Sequence, residues 1–562
     1  MKKQKTGLSY LLQLIGIWAV ICILNAAFIE VDPDEAYYWI YTKQLDWGYF
    51  DHPPGVALAI AIGSWLPNEI GVRFGTLLLH FLGIYILWLW MAKPQKREDI
   101  RYLIALCLAM PLLQIYGLIA TPDGPLLFFT MLFFYLYQQF ISKSSWWNTL
   151  ALGICMAALL YSKYHGVLLI FFVLLSNLSL LRNPRFYMAS IFGAILFFPH
   201  LYWQYSNDFP SFRYHLKGRN DNYELKYTIT YVLNQLVIFS PLLLPFWINS
   251  LRKSWSSDKL IIRACYFVCG GFWTFFFYSS FKGHVEPQWT AILSIPLIYL
   301  MFQYGLKNRN FRKWSYRMAL ASFVLIVAAR FLVMMTNPFN INSNFHKRDW
   351  IFEIKEQANN RPVIFENSYR NAAKYSFYAK EDAYTFANHL YRKNQYDIWD
   401  DEAKLHGKNV LMVLHQHDRP EFYKNIRVDR RTFLLQELEN IQIKEKVEFL
   451  SSGSTPIKGS PSQIVNLSFD LYNPYWHDIN TFEGNAPLCL KASIYQNSEY
   501  LEIEVPLEPK FKNILLPSRR QTRFEGQWSI PNLPKGEYDV YFGFSIGEGH
   551  PDQPILRKLV IQ

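Results

Sequence analysis

Eleven stretches of mostly apolar residues crowd the first three-fifths of this 562-residue chain, near 8–29, 72–92, 101–118, 122–141, 146–161, 165–182, 186–203, 229–248, 262–280, 288–304 and 316–335. About 18 such residues in a row are needed for a helix to cross roughly 30 Å of hydrocarbon. The fold class this implies is a polytopic α-helical membrane protein with about 11 transmembrane helices. The chain is 51% hydrophobic, but its apolar residues are clumped. From about Asn337 the composition turns rich in Asn, Asp, Lys, Glu and Pro. Three regions are therefore expected: a transmembrane part with its loops over 1–336, a small α/β part over 337–440, and a β-sandwich over 441–562.

The formal charge of +12 does not point to nucleic acid, because much of it lies in short loops between apolar runs, where it sets orientation in the membrane. From a cytoplasmic N-terminus, alternate loops carry Lys93, Lys96, Arg97 and Arg101, then Lys143, Arg182 and Arg185, then Arg252, Lys253, Lys259 and Arg263, and finally Lys307 to Arg317. This is the bias of cytoplasmic loops, and an odd number of spans places everything after Met335 on the other side. Lys2, Lys3 and Lys5 precede the first run with no small-residue cleavage site, which reads as an uncleaved first span. Residues 55–67 are too few to span and read as a helix at the interface. Five of the six cysteines lie in apolar runs and Cys489 stands alone in the polar half, so no disulfide or zinc pattern is expected.

In the polar half, strands are expected at 363–366, 383–387 and 409–415 around a helix at 368–380, which is an α/β pattern. Alternating runs at 464–472, 500–507 and 538–545 suggest antiparallel strands of a sandwich.

The loops opposite the basic ones hold the residues suited to chemistry. Asp34 and Glu35 follow the first span directly, with Tyr37, Tyr38 and Trp39 behind them. A carboxylate there fits a base working beside a lipid headgroup. It also fits a cap on an interfacial helix anchored by its aromatics, and spacing alone leaves both readings open. Lys163, Arg213, Lys217, Arg219 and Lys282 are cations on the same side. They are placed either to steady a departing phosphate or simply to reach lipid headgroups. His52, His165, His215 and His284 share that side, with Asp51 and Glu286 next to two of them. A divalent metal on His52, His284 and Glu286 is one reading, although the spacing matches no standard zinc motif; hydrogen bonding within the loops is the other. Arg330 lies inside the last apolar run, with no partner identifiable from sequence.

Several blocks together resemble the bacterial members of the family 39 glycosyltransferases, relatives of the dolichyl-phosphate-mannose protein mannosyltransferases and of the aminoarabinose transferases that modify lipid A. They are DPDEAYYWIYTKQLDWGYFDHPPGVAL at 32–58, TPDGPLLFF at 121–129, LYSKYHGVLL at 160–169, FPHLYWQYSNDFPSFRYHL at 198–216, EPQWTAILSIP at 286–296 and RKNQYDIW at 392–399. The resemblance implies a GT-C-like fold in the inner membrane and a polyprenyl-phosphate-linked sugar as donor. It also implies inverting transfer to a glycolipid or protein acceptor on the extracytoplasmic face. It gives Asp34 the role of base, with Glu35 as supporting carboxylate or alternate base. Lys163, Arg213, Arg219, Lys282, Tyr37, Asp51, His52, Asp123, His165, His284, Glu286 and Arg392 are its further candidates for the donor phosphate and substrates. A transporter or flippase of lipid-linked sugars is the main alternative. The absence of an intramembrane series of acids and of broken helices at matching positions in two halves speaks against it.

Overall fold

The computed structural model describes residues 2–143, 145–216, 223–254, 259–334, 348–414, 424–428, 431–450, 456–547, 549–552 and 555–562. They fall into two units, Met1–His346 and Lys347–Gln562. The boundary expected between 336 and 337 lies outside the described residues.

In the first unit the apolar runs become α1 (Lys2–Phe28), α4 (Asn68–Trp90), α7 (Asp123–Ser142), α10 (Pro184–Ser206), α14 (Leu260–Ser279), α15 (Ser294–Lys307) and α16 (Arg309–Met334). Between them stand α2 (Pro33–Ile40), α3 (Gly55–Ile62), α5 (Arg97–Leu108), α6 (Pro111–Ile115), α8 (Trp146–Ser162), α9 (Gly166–Ser176), α11 (Pro210–Leu216), α12 (Leu225–Ile238) and α13 (Leu244–Ser254). Among the described residues, seven helical segments are long and apolar enough to span a membrane; the α15 segment counts from Pro287, through the 3₁₀ turn before it. An eighth span results if α12 and the segment Pro241–Ser254 are one helix bent by 78°. The run expected over 101–118 is not one helix. Pro111 has no N–H to give, and it holds Met110 extended at φ −90°, ψ 108°, so α5 and α6 are separate pieces. At the bend after α12, Ser240, ahead of Pro241, sits at φ 63°.

The interfacial helix expected over 55–67 is the eight-residue α3, and it is packed onto α4. Val56, Ala57, Ala59 and Ile60 are buried, while Leu58, Ile62 and Trp65 are exposed on its other side. The crossing depends on glycine. A Cβ on Gly75 would lie 1.8 Å from the carbonyl oxygen of Ala59, and one on Gly63 would lie 2.1 Å from that of Gly71. Small residues allow such backbone-to-backbone packing between helices.

The second unit opens with α17 (Asp349–Ala358) and α18 (Tyr369–Ala379) against a five-stranded sheet. Its strands are β1 (Val363–Glu366), β2 (Ala383–Phe386), β3 (Val410–Leu414), β4 (Lys424–Val428) and β5 (Arg431–Leu438), in the order β2-β1-β3-β5-β4. The first three are parallel and the last two antiparallel. The remaining strands are β6 (Glu448–Phe449), β7 (Ile457–Gly459), β8 (Ile464–Tyr472), β9 (Ile479–Asn480), β10 (Leu488–Gln496), β11 (Glu499–Pro506), β12 (Leu515–Leu516), β13 (Gln521–Ser529), β14 (Gly536–Ile546) and β15 (Ile555–Ile561). They form a sheet ordered β11-β10-β14-β15-β7, a sheet β13-β8-β6 and a pair β12-β9.

Side chains alternate across a strand, and this alternation joins the two portions. Val363, Phe365, Leu411 and Val413 face Trp350 and Ile354 of α17. Their neighbours Ile364, Val410, Met412 and Leu414 enter a second core with Phe469, Trp528, Val540 and Phe542. The residues expected to form separate parts over 337–440 and 441–562 thus share a core.

Candidate active site

Asp32 caps α2, accepting a hydrogen bond from the Asp34 N–H at 2.9 Å, while Glu35 reaches back to the Asp32 N–H at 3.0 Å. This reciprocal box satisfies two helix-start donors and fixes the direction in which the chain enters α2. Asp34 sits half-buried in the first turn, where the helix dipole favours a negative charge.

Glu35 is fully buried and heavily engaged. It accepts two bonds from the Arg73 guanidinium, at 2.9 and 2.5 Å, and one from the Ala120 N–H at 2.8 Å. Arg73 spends its other donors on the carbonyls of Ala26, Ile29 and Glu30, at the end of α1. One buried ion pair therefore ties α4 to the junction between α1 and α2. Glu35 is thus fully enclosed and bonded on both oxygens. Arg73 was not singled out in the sequence. Its signal was a lone cation in an apolar run, which needs a buried counter-charge.

A second buried pair stands at the start of α7, where the Lys163 ammonium donates to both oxygens of Asp123 at 2.8 and 2.9 Å. Tyr116, also missed in the sequence, lies within electrostatic reach of Asp123, Glu286, Asp32 and Asp34.

The loop from Gln44 to Pro54 is held by α10 and α11. Tyr37 donates to Asp51 at 2.9 Å, and the His215 ring contacts the Asp51 carbonyl at 3.2 Å. His52 lies against the rings of Tyr38 and His215. Trp203 donates to Asp46, Ser211 donates to the carbonyls of Tyr49 and Phe50, and His200 bridges the Trp47 carbonyl and the Tyr164 hydroxyl. Burial holds the Tyr49 hydroxyl up at about 12, so it serves as a neutral donor to the carbonyls of Tyr41 and Gln44.

The other candidates are more dispersed. Arg213 is exposed and paired with Asp208. Lys282 is exposed, its ammonium 5.4 Å from the centre of the Tyr278 ring. Arg219, like Lys217, lies outside the described residues. His165 packs against Phe276 and Trp289. His284 and Glu286 lie 3.8 Å apart, an association that supplies two donors for a metal. Among the described residues no third His, Cys, Asp or Glu completes a three-donor group with them, whereas catalytic zinc usually has three protein ligands. Arg392, in the second unit, donates to the Tyr369 hydroxyl at 2.7 Å and lies over that ring. Arg330 finds its partners in the bundle: the Gln114 carbonyl at 2.6 Å and the face of Trp18.

The multi-pass helical unit and the β-rich C-terminal unit have the fold class of a GT-C-like membrane protein. Residues 51–203 match the family model described as dolichyl-phosphate-mannose-protein mannosyltransferase. The crystal structure of ArnT from Cupriavidus metallidurans in the apo state is similar over 75% of this chain and 97% of its own, with a TM-score of 0.58 at 11% identity. The ArnT structure bound to undecaprenyl phosphate has the same coverage, with a TM-score of 0.57 at 12% identity. No curated protein matches the sequence. The family model over 51–203 and the ArnT-like fold bear out the resemblance seen in the sequence blocks, and the chain has the fold of a multi-pass membrane protein similar to ArnT.

Proposed function

We propose that this protein is an inverting glycosyltransferase that moves a sugar from a polyprenyl-phosphate carrier to a glycolipid or protein acceptor at the outer face of the inner membrane. The observation that carries this reading is the setting of Asp34. It is a half-buried carboxylate at the start of a helix braced by Glu35 and Arg73, within electrostatic reach of Tyr116. Asp34 takes the proton from the acceptor hydroxyl or amine as that atom attacks the anomeric carbon, and the bond to the lipid phosphate breaks on the opposite face. The phosphate leaves with its negative charge and is met by exposed cations, Lys282 and Arg213 foremost. Lys163 is held by Asp123 and acts on the phosphate only through that pair.

The ArnT structure with undecaprenyl phosphate bound supports the donor class, since the two chains share a fold. Purified protein given a labelled polyprenyl-phosphate sugar and an acceptor should move the label, and Lys282→Ala should raise the donor KM about tenfold or more, from roughly 1.5–3 kcal/mol per charged hydrogen bond. Movement of labelled donor across vesicles without transfer would make the protein a flippase and overturn the reading. The orientation is tested by a reporter active only in the cytoplasm, fused at Gln562, which should be silent.

A further inference from the structure

Three side chains in the C-terminal unit meet far from one another in sequence. His389 lies in the segment after β2, Glu504 on β11, and His550 in the loop between β14 and β15. The His389 Nε2 is 2.7 Å from Glu504 Oε1, and the His550 Nδ1 is 2.8 Å from the same oxygen. All three donor atoms lie within 4.8 Å of one another. We propose that His389, Glu504 and His550 form a binding site for a divalent transition metal of the zinc class.

The donor chemistry fits. Two imidazoles and one carboxylate are a ligand set zinc uses where its remaining position is left to water or another small ligand. Bonds of about 2.1 Å in a tetrahedral site place ligand atoms roughly 3.4 Å apart, so the two contacts to Glu504, now 2.7 and 2.8 Å, must open while the histidine nitrogens stay within the 4.8 Å that bounds the group, a change for side-chain rotation. The outer hydrogen bonds are also those of a metal site. The Tyr495 hydroxyl lies 2.8 Å from His389 Nδ1, where it accepts a hydrogen bond from the Nδ1–H tautomer that leaves Nε2 to ligate. Tyr500 donates to Glu504 at 3.1 Å and holds the carboxylate in place.

Access and rigidity agree with this assignment. The His389 side chain is fully enclosed, whereas Glu504 and His550 keep 16% and 12% exposure, which leaves a path for an ion. His550 also lines a cavity of about 30 Å³ with Glu366 and Asn388, enough for one water-sized ligand. The backbone is tied beforehand, since the His389 N–H donates to the Pro551 carbonyl at 2.8 Å. Bound metal would therefore clip the segment after β2 to strand β11 and to the loop between β14 and β15, a structural role independent of sugar transfer.

The test uses the full chain in detergent, stripped with a chelator and reloaded with zinc or cobalt alone. The expected result is one more metal equivalent per chain than the His389→Gln/His550→Gln variant takes up. With cobalt, the visible absorption of a tetrahedral site should appear only in the unaltered chain. Zinc should raise the melting temperature of that chain and not of the double variant, and Tyr495→Phe should weaken zinc about 10–100-fold. The difference between chains is what is read, so metal held by the membrane unit does not contribute. Equal metal content in the two chains, or no cobalt spectrum in the stripped and reloaded parent, would overturn the proposal and leave a hydrogen-bonded His–Glu–His knot.

Discussion

Asp34→Asn and Glu35→Gln replace neighbouring carboxylates with amides of nearly the same size, yet the structure assigns them opposite consequences. Glu35 accepts bonds of 2.9 and 2.5 Å from Arg73 and two more from backbone N–H groups, with no exposure to solvent. Neutralising it leaves the Arg73 guanidinium charged and enclosed, and breaking one side of a buried pair costs about 3–5 kcal/mol. That is a large part of the roughly 5–15 kcal/mol that holds a typical protein folded. Glu35→Gln should therefore melt well below the parent in detergent and give a low yield of monodisperse protein. The fraction that does fold should turn over at a rate much closer to the parent's than Asp34→Asn does. Asp34→Asn keeps the first-turn geometry, because the cap belongs to Asp32, so its melting curve should stay near that of the parent. Its transfer rate should fall by about 10²–10⁴, the usual worth of a general base. The assay is turnover of labelled lipid-linked sugar, normalised to folded protein, beside a thermal melt of each variant. A Glu35→Gln protein that melts like the parent but has lost turnover would refute the division of roles, and so would near-normal turnover in Asp34→Asn.

Lys163→Met should lower the melting temperature by leaving Asp123 buried without its cation, and Lys163→Met/Asp123→Leu should recover most of the loss; a double variant that melts lower still would show the pair is not a self-contained unit. Gly75→Val should destabilise the α3–α4 crossing by at least about 1–3 kcal/mol, because the added carbon meets the Ala59 carbonyl, which is backbone and cannot rotate away; unchanged melting would exclude that close approach. The His406 imidazole, stacked on His477 and accepting from the Ile443 N–H, is pushed down from 6.5 to about 4, by burial first and then by His477. The unfolded chain binds a proton near pH 6.5 that the folded one refuses, so this group's contribution to C-terminal stability is full above 6.5 and drains away as the pH falls to about 4. His406→Phe should flatten stability against pH across that window, and an unchanged slope would remove His406 as its source.

The local layers of this fold could be read directly from the chain. Apolar runs announce membrane helices because lipid offers the backbone no partner, whereas the breaks at Pro111 and Pro241 fall inside runs expected to be continuous, 101–118 and 229–248. Strand β8 occupies the alternating run 464–472, and β1 occupies 363–366, because a period of two is enough to define a half-buried strand. The sequence blocks likewise picked out Asp34, Asp123, Lys163 and Glu286 as residues of interest. Tertiary structure decided what each one touches. Glu35 is matched with Arg73 across 38 positions, Lys163 with Asp123 across 40, and His389 with Glu504 across 115. Spacing along a helix or strand says which face a residue occupies and nothing of which distant element will cover it. Whether a carboxylate becomes a buried brace or stays available to a substrate depends on that covering, because burial without a partner is what a charge can least tolerate.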